Sequence, residues 1–274
     1  MGKRRIAVVA MCISALAFVC FGGIVKSNIG AKGIEYTEDV EPIIPTAADY
    51  IQDGLIAMWD GIENAGFGSH DDNLSYWKDL NGNHDLVLSS NGISNGRLIW
   101  KDDGLWHCGP NIDGRQSFSI GDIIGDSSSF TISYCVSFER IVPTLTRYAP
   151  LGNSSGAFGF YSGQENFFVS MPWPTGYGDI QLQLQDNTIE ATITCDGTYV
   201  SGFVNGEKFS NKLCGDTTSF LTRSLYIFYS PGYNPTVDNS WICTIHRILV
   251  YDRCINDHEE YKNFTIDKAR FNIP

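Results

Sequence analysis

EATITCDGTYVSGFVNGEKFSN, running from Glu190 to Asn211, decides the fold because it reads as an antiparallel β-hairpin. Apolar and polar residues alternate from Ile189 to Cys195, and residues two apart lie on the same face of a strand. The pairs Asp196-Gly197 and Asn205-Gly206 supply turns, since both tolerate the positive φ that tight hairpin turns require. The stretch therefore predicts an antiparallel sandwich.

The same alternation recurs along the chain. From Ser129 to Phe138 it predicts a strand that is buried on one face only. Leu55 to Trp59 reads as a first strand buried on both sides, and Trp241 to Tyr251 as the last long strand. The inward row of the 129–138 strand is expected to be Phe130, Ile132, Tyr134, Val136 and Phe138. The chain is therefore predicted to be all-β.

The formal net charge of −12 over 274 residues argues against one class of partner. An acidic surface repels phosphate backbones, so nucleic-acid binding is not expected, and docking on anionic lipid is disfavoured. The aromatic content of 13% and the 28 glycines suit many short strands joined by tight turns. No cofactor is predicted.

The N-terminus has the pattern of an export signal. A basic start is followed by an uncharged apolar run, residues 6–25, so residues 1–25 are predicted to be a cleaved signal peptide or a single-pass membrane anchor. Lipid modification of Cys20 is a third reading. Residues 26–52, acidic and stiffened by Pro42 and Pro45, read as a linker, and residues 53–274 as one domain. All three readings predict a secreted or cell-surface protein.

The eight cysteines leave two possibilities open. Cys12 and Cys20 belong to the apolar leader. Export permits up to three disulfides among the others, whereas Cys135 and Cys195 also fit small core residues in strands. The remaining candidates are Cys108, Cys214, Cys243 and Cys254.

Several motifs together resemble one family. They are G-L-x-A-x-W at Gly54–Trp59, W-x-D-L-x-G-N at Trp77–Asn83, the hairpin with D-G-T and V-N-G-E, and R-I-L-V-Y-D-R at Arg247–Arg253. The combination is similar to bacterial laminin-G-like domains, which are concanavalin A-like jelly rolls. The resemblance covers residues 53–274 and implies a jelly-roll β-sandwich whose members mostly bind a ligand, often a sugar.

The C-terminal segment predicts a short helix. Asn256 followed by Glu259 has the spacing of a capping box, and acidic residues are favoured in a first helical turn. Tyr261 and Phe264 form a short apolar stripe. Glu259 and Glu260 are expected on the surface of this helix.

Two irregular, aromatic-rich segments are the candidate ligand-binding site. Met171–Gly178 contains Trp173 and Tyr177, and Tyr226–Trp241 contains Tyr229 and Tyr233. Exposed aromatic rings stack on the apolar faces of sugars, whereas the alternative is that these rings plug the ends of the sandwich.

No metal site is predicted. Asp79, Asn81, Asn83 and Asp85 have the early spacing of a calcium loop, but the glycine and the terminal glutamate of that loop are missing, so capping of backbone amides is the expected role. His246 is expected to be a sheet residue, and the His70-Asp71-Asp72 segment an exposed polar loop.

The sequence favours a non-catalytic binding domain for carbohydrate or a surface partner protein. Glycoside hydrolysis needs two carboxyl groups across the scissile bond, and no strand carries two inward acids, with Glu190 alone in its strand. The alternatives are a structural subunit of a surface or envelope assembly and, less favoured, a glycoside hydrolase.

Overall fold

The computed structural model describes residues 29–30, 33–34, 43–82, 84–108, 116–125, 127–140, 148–153, 159–163, 166–173, 176–183, 187–213, 224–229 and 242–274. The chain divides into two compact units, Met1–Ile44 and Pro45–Pro274. In the first, β1 (Ile29–Gly30) pairs antiparallel with β2 (Gly33–Ile34). The predicted leader, residues 1–25, lies outside the described residues. Among the residues described, no helix is long and apolar enough to cross a membrane.

The larger unit is built mainly of strands. Its helices are α1 (Ser90–Ser94), α2 (Ile120–Ile124), α3 (Asp257–Phe271) and a 3-10 turn at Ala47–Asp49. Its strands are β3 (Leu55–Asp60), β4 (Tyr76–Trp77), β5 (Leu86–Val87), β6 (Leu98–Lys101), β7 (Gly104–Cys108), β8 (Gln116–Ser119), β9 (Ser129–Arg140), β10 (Tyr148–Asn153), β11 (Gly159–Gly163), β12 (Asn166–Trp173), β13 (Gly176–Gln183), β14 (Thr188–Asp196), β15 (Tyr199–Val204), β16 (Glu207–Leu213), β17 (Ser224–Tyr229) and β18 (Ile242–Tyr251).

Two antiparallel sheets form the sandwich. The six-stranded sheet has the order β13-β12-β11-β10-β17-β8. The eight-stranded sheet has the order β16-β15-β14-β9-β18-β7-β6, and β3 also pairs with β18. The hairpin predicted from the sequence is β14–β15, in which Ala191 pairs with Val204 and Cys195 with Val200. The prediction of an all-β antiparallel sandwich is thereby confirmed.

The core lies between the two sheets. The predicted inward row of β9 is buried throughout, and side chains of the six-stranded sheet such as Leu151 and Ile227 belong to the same cluster. Trp59 of β3 meets Phe118 of β8 with ring centroids 4.9 Å apart. Alternation along single strands therefore identified the inner layer correctly.

The outer face of the eight-stranded sheet departs from the prediction. Thr131 and Ser133, which were expected to face solvent, are buried, so β9 is covered on both faces. Helix α3 lies across this face, where Phe264 and Phe271 pack on Cys135. The strand was expected to be half-buried because its outward residues are small and polar, and nothing local to it indicates the covering helix.

Helix α3 starts as predicted. The Asn256 side chain accepts the N–H groups of His258 and Glu259, and the Glu259 side chain returns to the Asn256 N–H, which completes the capping box. The helix runs for 15 residues and ends before Asn272, which has a left-handed conformation.

The domain begins earlier than residue 53. The compact unit starts at Pro45, and both Ala47 and Tyr50 are buried within it. The Ala47 N–H donates to Glu63 Oε1 at 2.9 Å, and the Tyr50 hydroxyl donates to Asp267 Oδ1 at 2.5 Å. The last residues of the predicted linker are therefore part of the folded unit.

Among the cysteines that the structure describes, Cys108, Cys135, Cys243 and Cys254 are free thiols. Cys135, Cys195 and Cys243 are buried, as expected of small core residues. Cys214 lies outside the described residues.

Candidate functional site

Trp173 and Tyr177 lie at the turn end of a hairpin at the edge of the six-stranded sheet. The hairpin pairs Trp173 with Gly176 and Pro172 with Tyr177. The segment was expected to interrupt the strands, but they run up to the turn. Proline is tolerated here because Pro172 lies beyond Ser170, the last residue of β12 that pairs with β11, so no β11 carbonyl needs its missing N–H. By this register, Trp173 and Tyr177 occupy opposite faces of the hairpin.

Tyr229 lies at the other end of the same sheet. It is the last residue of β17 and pairs with Ala149, next to the first residue of β10. The turn between β12 and β13 lies beyond the opposite end of β10. At that end Gly152 pairs with Gly159, and Gly159 pairs with Ser170 of β12. The register therefore separates Tyr229 from Trp173 along the strands, and Tyr233 lies outside the described residues.

The aspartates of the predicted calcium-like spacing cap backbone amides. Asp79 accepts N–H groups from Met58 at 2.8 Å, Asn81 at 3.1 Å and His84 at 3.2 Å. Asp85 accepts the Asp79 N–H at 2.9 Å and pairs with Lys78. These contacts fix the turn between β4 and β5, which is the role that the sequence favoured. Asn83 lies outside the described residues.

The described histidines of the predicted motifs have local partners. His246 sits at an irregularity in the pairing of β18 with β9, contacts Ser137 Oγ at 2.6 Å and stacks on Phe271. Burial lowers its pKa below the usual value, although the nearby Asp103 opposes the shift. His70 contacts Asp72 at 2.9 Å on an exposed loop.

A buried layer of carboxyl groups lies between the eight-stranded sheet and α3. Glu190 points outward from β14, and Glu260 points inward from α3; both have 0% exposure. The expectation that Glu260 lies on the surface was wrong. Residues three or four apart share one helix face, and Glu260, Asn263, Asp267 and Arg270 fall on the face of α3 that meets the sheet.

Two arginines hold most of this layer. Arg247 donates from Nε to Asp267 Oδ1 at 2.9 Å and from Nη2 to Asp267 Oδ2, and its Nη1 donates to Ser133 Oγ at 2.7 Å. Arg270 donates to both oxygens of Asp60, at 2.6 Å and 3.0 Å. Each guanidinium thus meets a carboxylate with two parallel hydrogen bonds, which is the geometry that makes such pairs strong.

Glu190 and Glu260 are further carboxyl groups of this layer, in addition to the two aspartates that Arg247 and Arg270 hold. The Ser133 hydroxyl donates to Glu190 Oε1 at 2.5 Å, and Thr192 contacts the same oxygen. Burial raises the pKa of Glu190, and Arg247 opposes that shift. Burial and then the charge of Glu190 raise the pKa of Glu260 to about 10. Glu260 is therefore protonated at neutral pH.

The second carboxyl group beside Glu190 comes from α3 and not from a strand, so the expectation that no strand carries two inward acids did not cover it. The pair could not be predicted because Glu190 and Glu260 come from a strand and a helix 70 residues apart in sequence. Both groups are sealed beneath α3, so the arrangement holds the helix on the sheet and does not face a cleft.

Part of the outer face of the eight-stranded sheet remains uncovered by α3. One cross-strand row runs over β6, β7, β18, β9 and β14, and Lys101 and Glu139 flank it. Lys101 and Glu139 are exposed and Ser137 and Thr188 are partly exposed, whereas Thr244, in the middle strand of the row, is buried at 4% exposure. Ile99 is 47% exposed and Trp106 is partly exposed.

Glu139 and Lys101 fix the surroundings of Trp106. Glu139 Oε1 accepts from the indole Nε1 at 3.0 Å and from Lys101 Nζ at 2.6 Å. The Lys101 ammonium lies 5.3 Å from the indole centroid. Sequence reasoning did not single out Trp106. Its neighbours Leu105 and His107 are buried, so Trp106 lies on the opposite face of β7.

Comparisons with known proteins identify the fold. No protein-family model and no curated protein matches the chain. The binding domain of botulinum neurotoxin DC in complex with rat synaptotagmin II matches with a TM-score of 0.58 at 12% identity, covering 80% of this chain and 52% of that one. Botulinum neurotoxin type C, which depends on two ganglioside molecules to enter cells, matches with a TM-score of 0.58 at 11% identity, covering 79% and 51%.

A third match is the Trypanosoma rangeli sialidase in complex with 2,3-difluorosialic acid. Its TM-score is 0.56 at 15% identity, with 80% of this chain and 34% of the sialidase covered. The chain thus spans about half the length of the toxin chains and about a third of the sialidase. At these identities the likeness shows a shared β-sandwich fold alone.

Proposed function

We propose that the chain is an exported, non-catalytic domain of laminin-G-like type that binds carbohydrate. The observation that carries the proposal is the backbone position of Trp173 and Tyr177 at the turn end of an edge hairpin. Aromatic rings stack on the apolar faces of sugars. The matched toxin that depends on gangliosides supports the same class of ligand. Export rests on the apolar leader of residues 1–25.

Glycan-array binding by the full chain tests this function. Trp173→Ala is expected to abolish binding to a sugar that the wild-type chain binds, with little change in melting temperature, because Trp173 lies beyond the residues of β12 that pair with β11. A large fall in melting temperature would instead identify the ring as part of the core. A chain that binds no glycan at all would refute the proposal.

Glycoside hydrolysis is the second candidate because the structure brings Glu190 and Glu260 together and a sialidase shares the fold. The burial of both groups counts against it, since the catalytic carboxyl groups of a glycosidase must flank the scissile bond. Release of reducing sugar that depends on either glutamate would favour this candidate.

A further inference from the structure

We propose that Ser137 is a nucleophilic serine that takes up one small acyl group from an activated carboxylic ester, with His246 as its general base. This modification site goes beyond the proposed carbohydrate-binding function and does not depend on it. It is carried by a directed series of hydrogen bonds that runs from Thr188 through Ser137 and His246 to the backbone of Asp103.

The ring of His246 is fixed with its Nε2 atom towards Ser137. Its Nδ1 atom lies 2.8 Å from the carbonyl oxygen of Asp103. A carbonyl oxygen only accepts hydrogen bonds, so Nδ1 carries the ring proton and Nε2 is left as an acceptor. Phe271 of α3 stacks on the ring with centroids 4.8 Å apart, which holds the plane of the imidazole. A base that a third group orients in this way is the arrangement that activates a nucleophile.

The hydroxyl group of Ser137 is aligned to lose its proton to His246. Ser137 Oγ lies 2.6 Å from His246 Nε2 and 2.7 Å from Thr188 Oγ1. Because the one hydroxyl proton of Ser137 is directed at Nε2, the Thr188 hydroxyl donates to Ser137 Oγ. Thr188 therefore offers a hydrogen bond to the negative charge that develops on this oxygen as its proton leaves.

Burial keeps His246 in the form that accepts a proton. It lowers the pKa of His246 below its usual value, and the carboxylates of Asp103, Asp267 and Asp60 oppose that shift without reversing it. The imidazole is therefore uncharged at neutral pH, as a general base must be. Asp103 Oδ2 lies 3.5 Å from Nδ1, where its charge stabilises the imidazolium that forms while His246 holds the proton.

The surroundings of Ser137 favour a single transfer over turnover. Ser137 and Thr188 are partly exposed, so a reagent reaches the hydroxyl, whereas His246 is only 3% exposed, which limits the space to a small acyl group. Enzymes that turn esters over place free N–H groups where the oxyanion forms. Ser137 pairs with Thr188 on one side and Thr244 on the other, so its own N–H belongs to the sheet. We therefore expect one acyl group per chain.

The step is a complete acyl transfer. Ser137 Oγ attacks the carbonyl carbon of the ester while its proton passes to His246 Nε2. The bond between the carbonyl carbon and the leaving oxygen then breaks, and His246 returns the proton to that oxygen. The products are an ester on Ser137 and one molecule of alcohol or phenol.

The test treats the full chain at neutral pH with p-nitrophenyl acetate and, separately, with a fluorophosphonate, which labels activated serines with loss of fluoride. Mass spectrometry of the intact chain and of its peptides counts and locates the added groups. We expect the fluorophosphonate to label Ser137 once per chain, and p-nitrophenyl acetate to acetylate the same residue. Ser137→Ala should abolish both reactions, and His246→Gln should slow them by about a hundred-fold or more.

Ser129→Ala is the matched control. Ser129 lies on the same strand as Ser137, is also partly exposed, and donates its hydroxyl to the Cys195 carbonyl oxygen at 3.2 Å and not to a histidine. This variant should be labelled as fast as the wild type, and melting temperatures show which variants fold.

The residue labelled in the wild-type chain decides the question even if Ser137→Ala or His246→Gln fails to fold. A wild-type chain in which Ser137 stays unlabelled would overturn the proposal, as would a folded His246→Gln chain that is labelled at the wild-type rate. Release of p-nitrophenol that continues well beyond one equivalent per chain and is lost in Ser137→Ala would overturn the single transfer and identify an esterase.

Discussion

Replacing Glu260 with glutamine tests the buried carboxyl layer. The ordinary pKa of a glutamate is 4.5, whereas burial and the charge of Glu190 raise the pKa of Glu260 to about 10 in the folded chain. Between these two values the folded state holds a proton that the unfolded state has released. Raising the pH therefore favours unfolding, and each pH unit lowers the free energy of unfolding by about 1–2 kcal/mol.

The size of the effect follows from this shift. The free energy of unfolding is therefore about 3 kcal/mol lower at pH 7 than at pH 4.5, because Glu260 keeps its proton in the folded chain and loses it in the unfolded chain. Glutamine cannot ionise, and its amide group can donate hydrogen bonds. Glu260→Gln should therefore be more stable than the wild type by about 3 kcal/mol at pH 7 and about 5 kcal/mol at pH 8, and the two should converge towards pH 5.

Urea unfolding of both chains at pH 5, 6, 7 and 8 measures the difference directly. Glu259→Gln, on the adjacent residue of α3, is the matched control. Hydrogen bonding to Arg253 holds the pKa of Glu259 below its usual value, so its contribution to stability is present above that usual value and is lost as the pH falls. Glu259→Gln should thus be the less stable chain at neutral pH. If the difference between Glu260→Gln and the wild type were constant from pH 5 to pH 8, Glu260 would be ionised in the folded chain and the reasoning would fail.

Three further changes test other parts of the fold. Arg247→Met should lower the free energy of unfolding by about 3–5 kcal/mol at pH 7 in urea titrations, because it leaves Asp267 buried without its cation, and an unchanged stability would contradict the pairing. Gly206→Ala should destabilise by about 1–3 kcal/mol in thermal melts, since Gly206 has φ +74° and an added Cβ would lie 2.7 Å from the Phe264 ring; a neutral effect would mean that the turn is placed differently. Asn256→Ala should lower stability by about 1 kcal/mol through loss of the α3 cap, and hydrogen exchange in the first turn of α3 should rise with it, whereas unchanged exchange would argue against the cap.

The sequence predicted the parts of the fold that depend on local pattern. Alternation from Ile189 to Cys195 and from Ser129 to Phe138 identified the inner faces of β14 and β9, because period-two burial is a property of a single strand. The helix cap at Asn256 was also predicted, because it involves residues only three apart in sequence. Covering of the outer sheet face depends on a helix more than 100 residues after β9, and the polar outward residues carry no sign of it.

The candidate site was predicted less completely for the same reason. Aromatic-rich segments drew attention to Trp173 and Tyr229, but only strand register shows that they lie towards opposite ends of one sheet. The pairing of Glu190 with Glu260 also joins distant segments, and the acidic first turn of α3 made Glu260 look solvent-exposed. Trp106 was missed because the short strand β7 was not recognised between its turns.

The central functional claim is that the domain binds carbohydrate without cleaving it. The most direct measurement incubates the full chain with the oligosaccharide that it binds best and follows both saturation of binding and the appearance of new reducing ends. We predict saturable binding and an unchanged number of reducing ends over many hours. Reducing ends that accumulate with the wild type and disappear with Glu190→Gln or Glu260→Gln, or a complete absence of binding, would contradict it.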